Sequence, residues 1–292
     1  MPPKGANIVT SKWVFDVKYT PNGAVDRFKA RLVARGFTQI HGEDYGDTYA
    51  PTLRADSLRI LLSIIAIQDL EAHQVDVNNA FTESHLKERI FMHPPEGVKV
   101  KPGCVLEILR SLYGLKQAAR DWNECCTQAL CKLGFKPTPS DPCVFIGPDR
   151  MIIGLYVDDL IIAAPKLNSI QNFKEAFGKR FKIKDLGEIG KVLGIRVRRE
   201  RANRAIYLDQ TAYIKQFLQE HGMRQVQHQP AQIPLNGYEA LHKANDSDAR
   251  ADRQQYQSQI GSAMFAMVYT RPDIAFALGK LSQYVSDPAE YH

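Results

Sequence analysis

The sequence has no apolar run of bilayer length. Its most hydrophobic stretch, Leu58 to Ile67, is interrupted by Arg59 and falls far short of the ~20 residues a spanning helix needs. Met1 to Lys12 contains no apolar core of a secretory leader. Cysteine is scarce: Cys104, Cys125, Cys126, Cys131 and Cys143 are an odd number without a regular framework, which argues against a disulfide-stapled secreted scaffold. No second pair stands at zinc-ligand spacing from Cys125, Cys126 and Cys131. Those three fall in a helical pattern and read as buried small side chains. Internal repeats and low-complexity tracts are absent. A soluble, intracellular protein is expected, with no membrane partner.

What is present suffices for two or three packed subdomains. The chain has 292 residues, of which 44% are hydrophobic, enough for a sizeable core. The net charge of +6 fits a polyanionic partner, but many ordinary proteins share so mild an excess.

Trp13 to Arg35 reads as a β-hairpin. Trp13, Phe15, Val17 and Tyr19 alternate, and Pro21-Asn22-Gly23 supplies turn chemistry. On the return strand Arg27, Lys29, Arg31 and Arg35 are evenly spaced with Val33, which places them on one face. That face is either a solvated strand surface or a phosphate contact. Asp56 is placed to cap a helix over Ser57 to Leu70 with Leu58, Leu61, Leu62 and Ile65 inward. His73 to Phe81 reads as a short strand and turn carrying Asp76, followed by a loop with Pro94, Pro95, Gly97, Pro102 and Gly103.

Lys116 to Leu133 reads as a helix, with Ala119, Trp122, Cys126, Ala129, Leu130 and Leu133 recurring at helical spacing and Gly134 where a C-terminal cap belongs. Lys116, Gln117 and Arg120 lie near its N-terminal end, where cations do not favour the helix dipole, so an external anion is one reason for them. Ser169 to Phe181 is a further amphipathic helix. Val192 to Leu208 forms a second hairpin with a basic tip, Arg198 to Arg204; such arginines also guard a sheet edge. Thr211 to Gly222 reads as helix, Gln225 to Ser247 as linker. Two closing helices span roughly Arg253 to Tyr269 and Pro272 to Val285.

The sharpest feature is Tyr156-Val157-Asp158-Asp159 between two apolar runs. A lone Asp-Asp at a hairpin bend is commonly just a turn. Here two adjacent carboxylates must repel each other and resist desolvation. A divalent cation relieves both costs, and magnesium favours a few carboxylates plus phosphates and retained waters. Two-metal phosphoryl transfer needs a further carboxylate. Asp76 is the candidate, although alone it is equally a turn or cap residue.

Several blocks in order carry a resemblance. They are Phe28-Lys29-Ala30-Arg31-Leu32-Val33-Ala34-Arg35-Gly36-Phe37, Gln74-Val75-Asp76-Val77 with Ala80-Phe81, Ser111-Leu112-Tyr113-Gly114-Leu115-Lys116-Gln117-Ala118, Tyr156-Val157-Asp158-Asp159 and Leu193-Gly194-Ile195. Thr270-Arg271-Pro272-Asp273-Ile274 and Leu281-Ser282-Gln283-Tyr284 follow near the end. Together they resemble the copia-type (Ty1/copia) retrotransposon reverse transcriptases over nearly the whole chain. There are departures: Asn78-Asn79 and Thr82-Glu83-Ser84 stand where Lys-Thr and Leu-Asn-Gly are commoner, and Ala119 where proline is usual.

The resemblance implies an RNA-directed DNA polymerase with an α+β right-hand fold. Fingers are expected over 1–70 with a return at 85–115. The palm is expected over 71–84 and 116–195 around an antiparallel ferredoxin-like sheet, and a helical thumb or connection over 196–292. The N-terminal part of the fingers is expected to be missing or short. RNase H, integrase and protease segments are expected to be absent.

The resemblance implies that Asp76, Asp158 and Asp159 are the catalytic carboxylates holding two Mg2+ ions, with Mn2+ as a substitute. Phe81 matches the aromatic that excludes a ribose 2′-hydroxyl. Tyr113 and Gly114 match the segment contacting the incoming nucleotide. Arg31, with Lys29 and Lys18 as neighbours, matches cations over the triphosphate. Leu193 and Gly194 look like the primer grip. Lys182 or Lys184 is a weaker match for the proton donor to pyrophosphate; each also reads as a solvated lysine. Phe81 alone equally reads as core. The implied partners are an RNA template, a DNA primer, their hybrid and deoxynucleotide triphosphates, in the cytoplasm or nucleus. Two alternatives stand beside this: an inactive transposon relic that binds nucleic acid or an assembly partner, and another palm-type enzyme such as a nucleotide cyclase.

Overall fold

The structure, a computed structural model, describes residues 1–19, 24–222 and 233–292. The expected turn at Pro21-Asn22-Gly23 and the first part of the expected linker lie outside the described residues. The fold is mixed α/β. In chain order its elements are β1 (Ile8–Val9), β2 (Ser11–Tyr19), β3 (Val25–Ala34), α1 (Ala55–Ile67), β4 (Glu71–Val77), β5 (His85–Met92), β6 (Leu106–Arg110) and α2 (Ala118–Lys132). There follow β7 (Lys136–Pro137), β8 (Val144–Ile146), β9 (Ile152–Tyr156), β10 (Asp159–Ala164), α3 (Leu167–Gly178) and β11 (Ile183–Glu188). The last are β12 (Lys191–Val192), β13 (Ile195–Glu200), β14 (Ala205–Asp209), α4 (Thr211–Glu220), α5 (Arg253–Tyr269) and α6 (Ala275–Leu281). They fall into two compact units, Met1–Glu188 and Ile189–His292.

The first unit is organised around a six-stranded antiparallel sheet of order β11-β4-β10-β9-β8-β7. Its central strands are near-continuously apolar because both faces are covered: Leu160, Ile161, Ile162, Ala163 and Ala164 of β10 are all buried. On one face Gly154 of β9 lies under Leu53 and Leu61, and a Cβ there would come within 3.1 Å of both side chains. On the other face Lys174 of α3 reaches His73 of β4 at 2.7 Å. An aromatic chain from Phe135 through Phe173, Phe177 and Phe181 to Trp122 joins α3 to α2, with ring centroids 4.9–5.3 Å apart.

Helix α1 buries the expected Leu58, Leu61, Leu62 and Ile65 stripe. Asp56 does not cap it. The helix begins two residues earlier, at Ala55, and Asp141 from across the fold accepts the Arg54 amide at 3.1 Å. Asp56 instead pairs with Arg59 within the first turn, where the helix dipole favours an acid.

The expected loop is present over 93–105, where Pro94, Pro95, Gly97, Pro102 and Gly103 stand, but it is preceded by strand β5 and followed by strand β6. β5 pairs in parallel with β1 and antiparallel with β6. Its charged first half hid the pattern, and at its apolar end Ile90 and Met92 are buried in a cluster with Val9, Ala34 and Leu115. Strands β2 and β3 form a two-stranded hairpin. Cys126 is buried as expected, whereas Cys125 is half-buried and Cys131 exposed.

The second unit contains the sheet β12-β13-β14 and a cluster of Tyr256, Ile260 and Leu278 between α5 and α6. The expected helix from Pro272 is α6 flanked by two tight 3-10 turns, Pro272–Ile274 and Ser282–Tyr284. No helix among the described residues is long and apolar enough to cross a membrane.

Candidate active site

Antiparallel register sets Lys184 of β11, Asp76 of β4, Asp159 of β10 and Tyr156 of β9 directly opposite one another. Directly paired residues share a sheet face, so these four form one transverse row. Asp158 lies in the β9–β10 turn, next to that row. Its carbonyl accepts the Val77 amide at 2.9 Å, which ties the turn to the end of β4. The Asp159 carboxylate accepts from Gln74 Nε2 at 3.1 Å. Gln74 is two residues before Asp76 and therefore on its face; that spacing was a signal sequence reading could have used. Burial pushes the carboxyls of both Asp158 and Asp159 above the ordinary range. The Asp76 charge adds to this for both, and the Asp158 charge for Asp159; Lys29 and Arg31 oppose it at Asp158.

These carboxylates stand at one side of a cleft of about 850 Å³ lined by Asp76, Asp158, Asn78, Asn79 and Tyr113. Its remaining wall is cationic: Arg27, Lys29 and Arg31 from the hairpin, Lys182 and Lys184 from the β11 side. The hairpin register puts Lys18 opposite Arg27, Asp16 opposite Lys29 and Val14 opposite Arg31. Lys18 shares the basic face but binds Asp16 at 2.6 Å and is not among the residues lining the cleft. Burial pushes the Lys29 ammonium below its ordinary value, helped by the neighbouring Arg31 and Arg27. Arg35 does not continue the stripe, because β3 ends at Ala34.

Phe81 sits in a tight turn, Ala80–Glu83, entered through Asn79 in the left-handed conformation (φ 53°). Asparagine adopts this conformation more readily than most residues. The Phe81 ring packs edge-on against Tyr113 with centroids 4.8 Å apart, and the Arg31 guanidinium lies 5.9 Å from the Tyr113 ring centre. Burial, then the Asp158 charge, pushes the Tyr113 hydroxyl above its ordinary value.

The hairpin root is joined to this floor backbone to backbone. The Ala34 amide donates to the Tyr113 carbonyl at 2.8 Å. Gly114 has φ +88°, and a Cβ on it would lie 2.0 Å from the Ala34 carbonyl oxygen.

The cations near the start of α2 face internal partners, not an external anion. Arg120 binds Asp121 at 2.7 Å and Glu88 at 3.3 Å. Gln117 is fully buried and donates to the Asp44 carbonyl at 2.8 Å. Lys116 lies over the Tyr45 ring. Apart from Asp121, which adjoins Arg120, these partners are distant in sequence, so the helix pattern could not reveal them. Leu193 and Gly194 form the β12–β13 turn in the second unit, both with positive φ (52° and 81°).

A family model described as reverse transcriptase (RNA-dependent DNA polymerase) matches residues 1–236. The chain belongs to this reverse transcriptase family. It is 37% identical, over 99% of its length, to a retrovirus-related Pol polyprotein from transposon TNT 1-94 of Nicotiana tabacum. It is 33% identical, over its whole length, to the Pol polyprotein from transposon RE1 of Arabidopsis thaliana. The chain spans 22% and 20% of those two polyproteins. A transposon Ty5-1 protein of Saccharomyces cerevisiae is 31% identical over 75% of this chain and 71% of its own length. These matches place the chain among the copia-type reverse transcriptase domains.

Reverse transcriptases imply divalent metal. Among the described residues no three His, Cys, Asp or Glu side chains already converge as a metal site. The donors nonetheless fit magnesium, which asks for one or two carboxylates and completes its octahedron with water and substrate phosphate. Asp76 and Asp158 face the cleft, while Asp159 is engaged with Gln74. The Trp122 indole, which donates to the Val157 carbonyl, is a contact that sequence reading missed. Trp122 read there only as part of an apolar helical stripe.

Proposed function

We propose that this chain is the RNA-directed DNA polymerase core of a copia-type retrotransposon. The observation that carries this is the meeting of Asp76 and Asp158 with a cationic wall and the Tyr113 ring in one cleft, with Phe81 packed edge-on behind Tyr113 and against the core rather than lining the cleft. Carboxylates alone suit many metal enzymes. Adding phosphate-binding cations and a flat aromatic floor suits a nucleoside triphosphate in particular. In this reading the fingers comprise 1–70 and 85–115, the palm 71–84 and 116–195, and the thumb or connection 196–292, the last boundary lying a few residues beyond the division of the two compact units at Glu188.

When bound, two magnesium ions, or manganese in their place, supply activation of the primer 3′-hydroxyl and neutralise charge on the leaving pyrophosphate. Asp76 and Asp158 would hold them, with Asp159 secondary. The rest is done by the chain's own groups. Arg31 and Lys29, with Lys18 behind them, bind the triphosphate by charge-assisted hydrogen bonds. Phe81 lies under the sugar and leaves no room for a 2′-hydroxyl, while Tyr113 and Gly114 contact the nucleotide. Leu193 and Gly194 hold the primer end. Lys184, in the same row as Asp76, is the better placed of the two lysines to protonate pyrophosphate. The partners are an RNA template, a DNA primer and their hybrid. Template sequence is read by base pairing, so protein contacts need only backbone and A-form shape. The setting is intracellular, cytoplasmic or nuclear.

The test is extension of a DNA primer on an RNA template by the purified chain. Incorporation of all four deoxynucleotides, abolished by chelator and restored by magnesium, is expected. Tight binding of the hybrid without incorporation would instead support the relic.

A further inference from the structure

The turn that carries Asp158 is held from two sides, and one holder stands outside the cleft. Val157 sits at φ 54°, a left-handed conformation that a β-branched residue keeps only where its surroundings impose it. Its carbonyl accepts the indole N–H of Trp122 from α2. The next carbonyl, that of Asp158, accepts the Val77 amide from β4 at 2.9 Å. Trp122 is 1% exposed, so its N–H would lose its partner altogether if the turn moved, at the cost of a buried unpaired donor. The ring is fixed edge-on against Phe181 at 5.2 Å, and Phe181 leans in turn on Phe177 of α3. The helical layer behind the sheet is thereby bonded to the residue immediately before Asp158. A phenylalanine would fill much of the same space; what distinguishes tryptophan is the N–H, and the N–H is what meets the turn.

We propose that Trp122 is a positioning residue for polymerisation, its indole N–H holding Val157 in the left-handed conformation and so aiming Asp158 into the cleft beside Asp76. The proposal rests on the reading of Asp158 as a metal-holding carboxylate. Without the bond, Val157 relaxes toward negative φ and the Asp158 peptide turns with it. Glycine adopts positive φ without a Cβ penalty, so Val157→Gly should lessen the need for the clamp.

The experiment uses the full chain as wild type, Trp122→Phe, Val157→Gly, the double variant and Asp158→Asn. Manganese binding is read by electron paramagnetic resonance on a complex with RNA template, dideoxy-terminated primer and deoxynucleotide. Single-turnover extension is measured in parallel. Trp122→Phe should weaken manganese binding roughly five- to tenfold and lower kcat about tenfold, with the nucleotide KM within about twofold. The double variant should recover much of both losses, a coupling that independent sites do not show. A folded Trp122→Phe protein with wild-type manganese binding and kcat overturns the proposal. So does a double variant no better than Trp122→Phe, which would make Trp122 core packing only. If Asp158→Asn itself leaves manganese binding and extension unchanged, the underlying reading of Asp158 fails instead. Should Trp122→Phe not fold, benzothienylalanine at position 122 keeps the ring shape without the N–H and takes its place.

Discussion

The two walls of the cleft are built in opposite ways. The carboxylate wall belongs to strands buried on both faces, and register, Gln74 and the Val77 amide each restrain it. The hairpin part of the cationic wall, carrying Arg27, Lys29 and Arg31, is two-stranded, and its outer face leaves Phe15 76% and Phe28 81% exposed. Two strands alone are marginal in water; this pair is anchored through its root at Ala34 and Tyr113. The contrast suits the chemistry proposed for each wall. Metal-assisted displacement demands carboxylates held to a fraction of an ångström, so the backbone over-determines them. Holding a triphosphate demands charge at reach, and long side chains on a ribbon supply it.

The comparison breaks first at the junction. Gly114→Ala puts a Cβ into the Ala34 carbonyl oxygen at a residue with φ +88°. We expect a loss of at least about 3 kcal/mol from strain and overpacking, seen as a sharp fall in the midpoint of denaturant unfolding. A wild-type midpoint would mean the hairpin root is not welded to the cleft floor.

The cationic wall can then be weakened by itself. Arg31→Ala should raise the apparent KM for all four deoxynucleotide triphosphates roughly tenfold or more and lower kcat, given about 1.5–3 kcal/mol for a charge-assisted contact. Normal nucleotide kinetics with weaker template binding and a changed salt slope would make the stripe a nucleic-acid contact instead.

The smallest effect in this series is also the most selective. Phe81→Val should admit ribonucleotides while largely sparing deoxynucleotides. A mere cavity would cost on the order of 1–3 kcal/mol and depress both activities together. The ratio of kcat/KM for deoxy and ribo substrates separates these outcomes, because lost stability cancels in it. An unaltered ratio returns Phe81 to the core.

The same contrast explains what could be read in advance. The apolar runs around Asp158 and Asp159 and the helical stripe of α1 are local patterns, and the strands and helix they indicate are present. The pairing of Asp76 with Asp159 was reachable once an antiparallel sheet was assumed. What escaped was non-local. β5 carries Lys87, Glu88 and Arg89 at its middle, so its sequence shows no apolar alternation before the buried Ile90 at its far end. Arg120 looked like an anion receptor because Glu88, 32 residues away, could not be known to face it. Asp141 caps α1 from 87 residues away. The exposed aromatics of β2 and β3 have the alternation of a buried face, and sequence cannot tell whether such a face is covered.

The most direct measurement is made on Asp158→Asn, in two parts. Burial raises the Asp158 carboxyl above its ordinary value. The stability linked to its proton is therefore present at low pH and lost as pH rises through that raised value. At neutral pH, without divalent ions, Asp158→Asn should thus be at least as stable as wild type, with the difference vanishing once the pH falls below the carboxylate range. Extension should fall at least about a thousandfold, since a lost ligand of a two-metal site costs several kcal/mol at the transition state. A well-folded Asp158→Asn protein that extends RNA-templated primers at the wild-type rate would contradict the account at its centre.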